Sequence, residues 1–169
     1  MSDRHYGTVD DARRQEMSGL EFVQGLADGT LPLNTIARTL GYDVTAASKG
    51  RVVVTAMPTE AHLNPAGTVH GGLSATLLDS CMGLAVWSML DKGVAQTTLE
   101  FKISLLRPIT PATGVLRAAA VPRRCRPARG HHSTGDLYTS TMSASSRSAS
   151  CFGRWKVLRP MMEPLPPPW

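Results

Sequence analysis

One acidic residue, Asp79, interrupts an otherwise apolar run over residues 71–90 that includes Leu73, Leu77, Leu78, Met82, Val86 and Leu90. A carboxylate placed there loses hydration worth several kcal/mol unless it is partnered. On a helix its neighbours one turn away are Ala75, Thr76, Met82 and Gly83, none of them cationic. Two readings are open. Asp79 is a structural carboxylate, bonded to a backbone group or facing a subunit interface. Alternatively it is a reactive one, because burial is the usual way a carboxyl is tuned for acid/base or nucleophilic work.

Nine residues before Asp79 stands His70, followed by Gly71 and Gly72 at the start of the run. The first-turn N–H groups of a helix have no intrahelical partners, and the helix dipole favours negative charge there. Two residues without side chains leave those donors open to a carbonyl oxygen, which is the chemistry of an oxyanion hole. The alternative is a glycine pair that permits a tight turn, with His70 capping the turn or orienting the loop. Along one straight helix nine residues are a rise of ~13 Å, too far for both groups to touch one small reacting centre. Two antiparallel helices from two subunits bring one chain's Gly71 against the other's Asp79. The spacing therefore points to a site shared across a dimer.

Periodicity gives the elements that must hold these residues. Residues 10–26 have helical composition, with Phe22 and Leu26 at i and i+4 and Gly29 as stop signal. Pro32 forbids continuation. Residues 40–46 set Leu40, Tyr42 and Val44 against Gly41 and Asp43, a strand pattern. Lys49-Gly50 reads as a turn and residues 51–57 as a β-branched strand, so an antiparallel hairpin is expected. After the loop cluster Asn64-Pro65-Ala66-Gly67, the apolar run reads as a buried helix or a membrane span. Asp79 in its middle and two glycines at its start favour a core helix. Residues 98–106 place Leu99, Phe101, Ile103 and Leu105 on one face and Thr98, Glu100, Lys102 and Ser104 on the other. Pro108 and Pro111 break that strand, and residues 113–121 supply another. The expected class is α+β, one buried helix on an antiparallel sheet, with an N-terminal helix before it.

A chain of 169 residues, 42% apolar and 18% charged, has the composition of one folded domain. Aromatic residues at 5% disfavour a base-stacking surface. Cys81, Cys125 and Cys151 show no CxxC or CxxH spacing, so neither a disulfide framework nor a zinc site is indicated. The charged first 14 residues lack the apolar stretch of a signal peptide, so a cytoplasmic protein is expected. Residues 1–116 carry nine Lys/Arg against eleven Asp/Glu, whereas residues 117–169 carry nine against two. Without a basic helical stripe, zinc-finger spacing or ribonucleoprotein-type aromatic motif, that tail reads as solvated charge, not a nucleic-acid surface. Seven of twelve prolines lie from Pro122 onward. Leu137-Tyr138 and Lys156-Val157-Leu158 are the only hints of strand there, and this third of the chain reads as poorly ordered.

The segments Asn64-Pro65-Ala66-Gly67-Thr68-Val69-His70-Gly71-Gly72, Ala75-Thr76-Leu77-Leu78-Asp79, Thr97-Thr98-Leu99-Glu100 and Leu106-Arg107-Pro108 are distinctive together. Over about residues 29–121 the chain resembles the hotdog-fold acyl-CoA thioesterases of the PaaI (phenylacetyl-CoA thioesterase) type. The resemblance implies a long helix wrapped by an antiparallel sheet, homodimers and often homotetramers, active sites at the dimer interface, and no metal or cofactor beyond the CoA of the substrate. Carried over by position, Asp79 attacks the thioester or activates water, and the Gly71 N–H polarises the thioester carbonyl. His70 and Asn64 place the loop and the thioester or water, and Thr98 helps hold the water. Gly72 and Arg107 bind substrate, Arg107 at the CoA phosphates. The implied partners are acyl-CoA and a second copy of the chain, with no nucleic acid or membrane. The implied organisation is an N-terminal helical extension over 1–30, a hotdog domain over 31–158 and a Pro-rich tail over 159–169.

The chain departs from the family after Val121, where further alternating strands are expected and hard to find. A reading-frame slip accounts for this: residues 139–144 back-translate, one base earlier, to codons for an acidic x-Val-Asp-Asp-Glu-Arg turn. An inactive frame-shifted copy is one alternative function. A second is a non-catalytic acyl-CoA-binding hotdog module. A hotdog hydratase needs a His near its carboxylate, and none follows Asp79 until His131. Met82, Val86 and Trp87 are candidates to line an aryl or medium-chain acyl pocket, with core packing as the alternative.

Overall fold

The computed structural model describes residues 4–125, 137–144 and 149–158. Its helices are α1 (Asp11–Gln15), α2 (Gly19–Asp28), α3 (Thr35–Leu40) and α4 (Gly71–Trp87). Its strands are β1 (Tyr42–Ser48), β2 (Arg51–Ala56), β3 (Ala95–Leu105), β4 (Leu116–Cys125), β5 (Leu137–Ala144) and β6 (Ala149–Leu158). They form one sheet in the order β1-β2-β4-β5-β6-β3, every neighbouring pair antiparallel. The sheet wraps α4, giving the hotdog α+β architecture.

The helix is held centrally because its apolar residues surround it. Leu73, Leu77, Leu78, Cys81, Met82, Ala85 and Val86 are buried, as are Val52 and Val54 of β2 and Leu116, Ala118 and Ala120 of β4. The alanines of β4 are small, which lets the helix lie close to the sheet. Two polar pins fix its orientation. Ser88, just past the helix end, donates to the Ala85 carbonyl and accepts from the Gly50 N–H, both at 2.8 Å, tying the β1–β2 turn to α4. The Tyr42 hydroxyl shares hydrogen bonds with Ser80 Oγ and Asn34 Oδ1, each at 3.1 Å. No helix among the described residues is long and apolar enough to cross a membrane.

The N-terminal third is more divided than its composition predicts. The single helix expected over 10–26 is two, because Ser18 and Glu21 form a capping box that starts α2 afresh. Gly29 ends it in the left-handed region, φ 86°. Helix α3 was not expected: Asn34 caps it and Gly41, φ 62°, stops it, so Leu40 is helical and β1 begins at Tyr42. The hairpin of β1 and β2 is antiparallel as expected. Strand β3 begins at Ala95, earlier than its alternation indicates, and β4 at Leu116, later. The C-terminal third, expected to be poorly ordered, contributes two strands among its described residues, β5 and β6, which close the sheet between β4 and β3. Ladder hydrogen bonds form from backbone alone, so ragged side-chain alternation does not forbid them. Residues 126–136, 145–148 and the Pro-rich 159–169 lie outside the described residues.

One irregularity of β3 matters for the site. Its pairing with β6 shifts register between Thr98 and Glu100, a bulge that reverses which alternate residues face the helix. Gln96 and Thr98 before it reach α4, and so do Ile103 and Leu105 after it. The strict two-face alternation expected for residues 98–106 therefore does not hold.

Candidate active site

The loop before α4 is built by Asn64. Its Oδ1 accepts from the N–H of Ala66 (2.9 Å) and of Thr68 (3.2 Å), and its Nδ2 donates to Thr68 Oγ1 (2.8 Å). Gly67, φ 78°, turns the chain back so that its N–H meets the Asn64 carbonyl at 2.9 Å. The loop then anchors through Val69 N to Ile109 O (2.8 Å) and His70 N to His62 O (2.7 Å).

His70 is the N-cap of α4. Its Nδ1 accepts from the Gly72 N–H at 2.9 Å, which leaves the neutral ring's proton on Nε2. Of the two glycine donors, the Gly72 N–H is thus engaged by His70, and a Cβ at Gly72 would lie 2.8 Å from that ring. The Gly71 N–H meets no acceptor among the described residues. It opens on a groove of about 280 Å³ lined by Asn64, Gly71, Ser74, Leu105, Arg107 and Ile109. Arg107 makes no ion pair among the described residues.

Asp79 lies further along α4, half-buried. Thr98 of β3 reaches across and donates its hydroxyl to Asp79 Oδ1 at 2.9 Å. One turn on, Gln96 Nε2 donates to the Gly83 carbonyl at 3.4 Å, while Gln96 Oε1 is buried with no partner among the described residues. Two clusters result: Asn64, His70, Gly71 and Arg107 at the helix start, and Asp79 with Thr98 at its middle. The eight residues from Gly71 to Asp79 are a rise of about 12 Å, so one chain does not bring them together. Ser74 and Gln96 were missed in the sequence. Ser74 is signalled by a polar residue one turn after Gly71 in an apolar run, and Gln96 by sharing Thr98's parity on β3.

Met82 and Val86 are fully buried core residues. Trp87 behaves differently. It stacks on Phe22 with ring centroids 4.5 Å apart and lines a cavity of about 220 Å³ with Phe22, Leu26, Tyr42 and Leu84. The Arg14 guanidinium stands at its edge, 5.9 Å from the Trp87 ring.

The sequence model of the thioesterase superfamily matches residues 66–122, a span that holds both clusters except Asn64. Over 72 residues the chain is 32% identical to human acyl-coenzyme A thioesterase 13, covering 42% of this chain and 51% of that protein. It is 52% identical over 44 residues to a Halobacterium salinarum protein, covering 25% and 29%. The chain thus spans about half or less of the length of the curated relatives it matches. Among solved structures, the Escherichia coli PaaI protein from the phenylacetic acid degradation operon superposes with a TM-score of 0.64 at 24% identity, covering 83% of this chain and 96% of that one. A phenylacetic acid degradation-related protein from Ralstonia eutropha JMP134 gives 0.63 at 27%, covering 80% and 98%. Residues 66–122 thus resemble the thioesterase superfamily, and the chain has the hotdog fold of the PaaI-type structures it superposes on.

Proposed function

We propose that this protein hydrolyses an acyl-CoA thioester, with an aryl or medium-chain acyl group, to the free acid and CoA. The observation that carries the reading is the pair of complementary half-sites on one helix. An unpaired Gly71 N–H sits at the positive end of α4, and a carboxylate held by Thr98 sits at its middle. Thioester hydrolysis needs both: a donor where charge develops on the carbonyl oxygen, and an oxygen nucleophile or a base that makes one from water. Because ~12 Å of rise separates them, the working site joins Gly71 of one protomer to Asp79 of its partner in a homodimer. Asn64 and His70 hold the loop that presents Gly71. Arg107, at the groove mouth, meets the CoA phosphates. The cavity beside Trp87 is mostly apolar and suits an aryl or medium-chain acyl group.

The test is release of free CoA thiol from phenylacetyl-, hydroxybenzoyl- and hexanoyl-CoA by the purified protein. Turnover of one of them above the buffer rate is expected. Tight binding of acyl-CoA by folded protein without turnover would overturn the reading and leave an acyl-CoA-binding protein.

A further inference from the structure

Ser74 is 5% exposed, one of few buried polar side chains on an apolar helix, and it stands three residues after Gly71. A buried serine in a helix ordinarily bonds back to a carbonyl of the preceding turn. Here no hydrogen-bond partner meets its hydroxyl among the described residues, and the residue lines the same groove as Gly71. Side chains on a helix lean toward its N-terminus, and positions i and i+3 share a face. The Ser74 hydroxyl therefore leans back over the first turn, where the Gly71 N–H also lacks an acceptor. The residue is almost wholly enclosed, yet its hydroxyl oxygen is not sealed off: it opens on the groove and is available to a ligand there.

We propose that Ser74 is a second donor to the oxygen polarised by the Gly71 N–H, completing a two-donor oxyanion site at the start of α4. This rests on the thioester reading and adds a residue to it. The acceptor is a carbonyl oxygen with apolar atoms on either side, since Leu105 and Ile109 wall the groove. As carbonyl becomes tetrahedral oxyanion the acceptor strengthens, so the hydroxyl contributes more to the transition state than to the ground state.

The experiment compares wild type, Ser74→Ala and Ser74→Thr, using an acyl-CoA thioester and a thioether analogue that lacks the carbonyl. Alanine is a better helix former than serine, so Ser74→Ala is expected to fold with an unchanged helical CD spectrum. Its kcat should fall roughly 10–100-fold with a smaller rise in KM, and Ser74→Thr, which keeps the hydroxyl, should recover most of that. Its Kd should rise for the thioester and stay constant for the thioether. Ser74→Ala with wild-type kcat and wild-type Kd for both ligands would overturn the proposal. If the wild type binds the thioester without hydrolysing it, the thioesterase reading fails. In that case the two Kd comparisons still decide whether Ser74 donates to the carbonyl.

Discussion

Three residues of α4 sit in very different surroundings. Cys81 is fully buried and directs its Sγ at the carbonyls of Val52 and Ala118, at 3.2 and 3.4 Å, joining the helix to β2 and β4. Burial pushes its thiol pKa from 9.0 to about 12. The native state thus keeps the proton that the unfolded chain gives up. This contribution to stability is fully present below pH 9 and is lost as pH rises toward 12. In urea titrations between pH 9 and 11, wild type should lose stability more steeply than Cys81→Ala; equal slopes would refute this. Asp79 differs in being half-buried and held by a neighbouring hydroxyl. Gly71 differs again, because it presents no side chain to the groove it lines. A Cβ there would come within 2.7 Å of Leu105 Cδ1, the mobile end of an exposed side chain. Gly71→Ala should therefore melt near wild type, yet lose roughly 10–100-fold in hydrolysis as the methyl displaces the thioester. Thermal melts and kinetics on one preparation check both halves.

At the scale of elements, α4 needs both ends fixed if its middle is to present Asp79 accurately. Its C-terminal end is fixed by α2. Gly19 packs so closely that a Cβ there would lie 1.8 Å from the Trp87 carbonyl oxygen, and its N–H bonds to Leu90 O at 3.0 Å. The obstacle is backbone, which cannot swing aside. Gly19→Ala should cost about 1–3 kcal/mol, read as a lowered urea midpoint; an unchanged midpoint would contradict this packing. The sequence makes α4 legible because apolar residues on all its sides with a lone carboxylate leave few alternatives to a core helix. The β1–β2 hairpin is legible from its Lys49-Gly50 turn and β-branched Val52, Val53 and Val54. What stays hidden has physical causes. The break between α1 and α2 depends on a reciprocal Ser18–Glu21 bond, worth little beside the helical composition around it. The β3 bulge is a product of pairing with β6, so no local pattern announces that Thr98 and Leu105 both face α4. Asn64, His70, Gly71 and Asp79 were legible as residues. That the Gly72 N–H is engaged by His70 was not, since the cap depends on a side-chain rotamer.

For the whole molecule, the two half-sites and the sheet edge raise the same requirement. Strand β3 is an edge of the sheet, and Leu99, Phe101 and Leu105 on it are exposed. A sheet edge that carries exposed apolar side chains favours strand pairing with a second copy. Light scattering should therefore find a dimer, and Phe101→Glu should shift it toward monomer with parallel loss of turnover. A monomeric variant with full activity would show that the site is not shared. The claim on which everything else rests is that Asp79 performs thioester hydrolysis, and the direct measurement is acyl-CoA turnover by wild type and Asp79→Asn. The substitution conserves shape and keeps an acceptor for Thr98, so the fold should survive. The account predicts turnover by the wild type and a loss of ~10²-fold or more in kcat for the folded variant. Turnover at the wild-type rate by Asp79→Asn would contradict it.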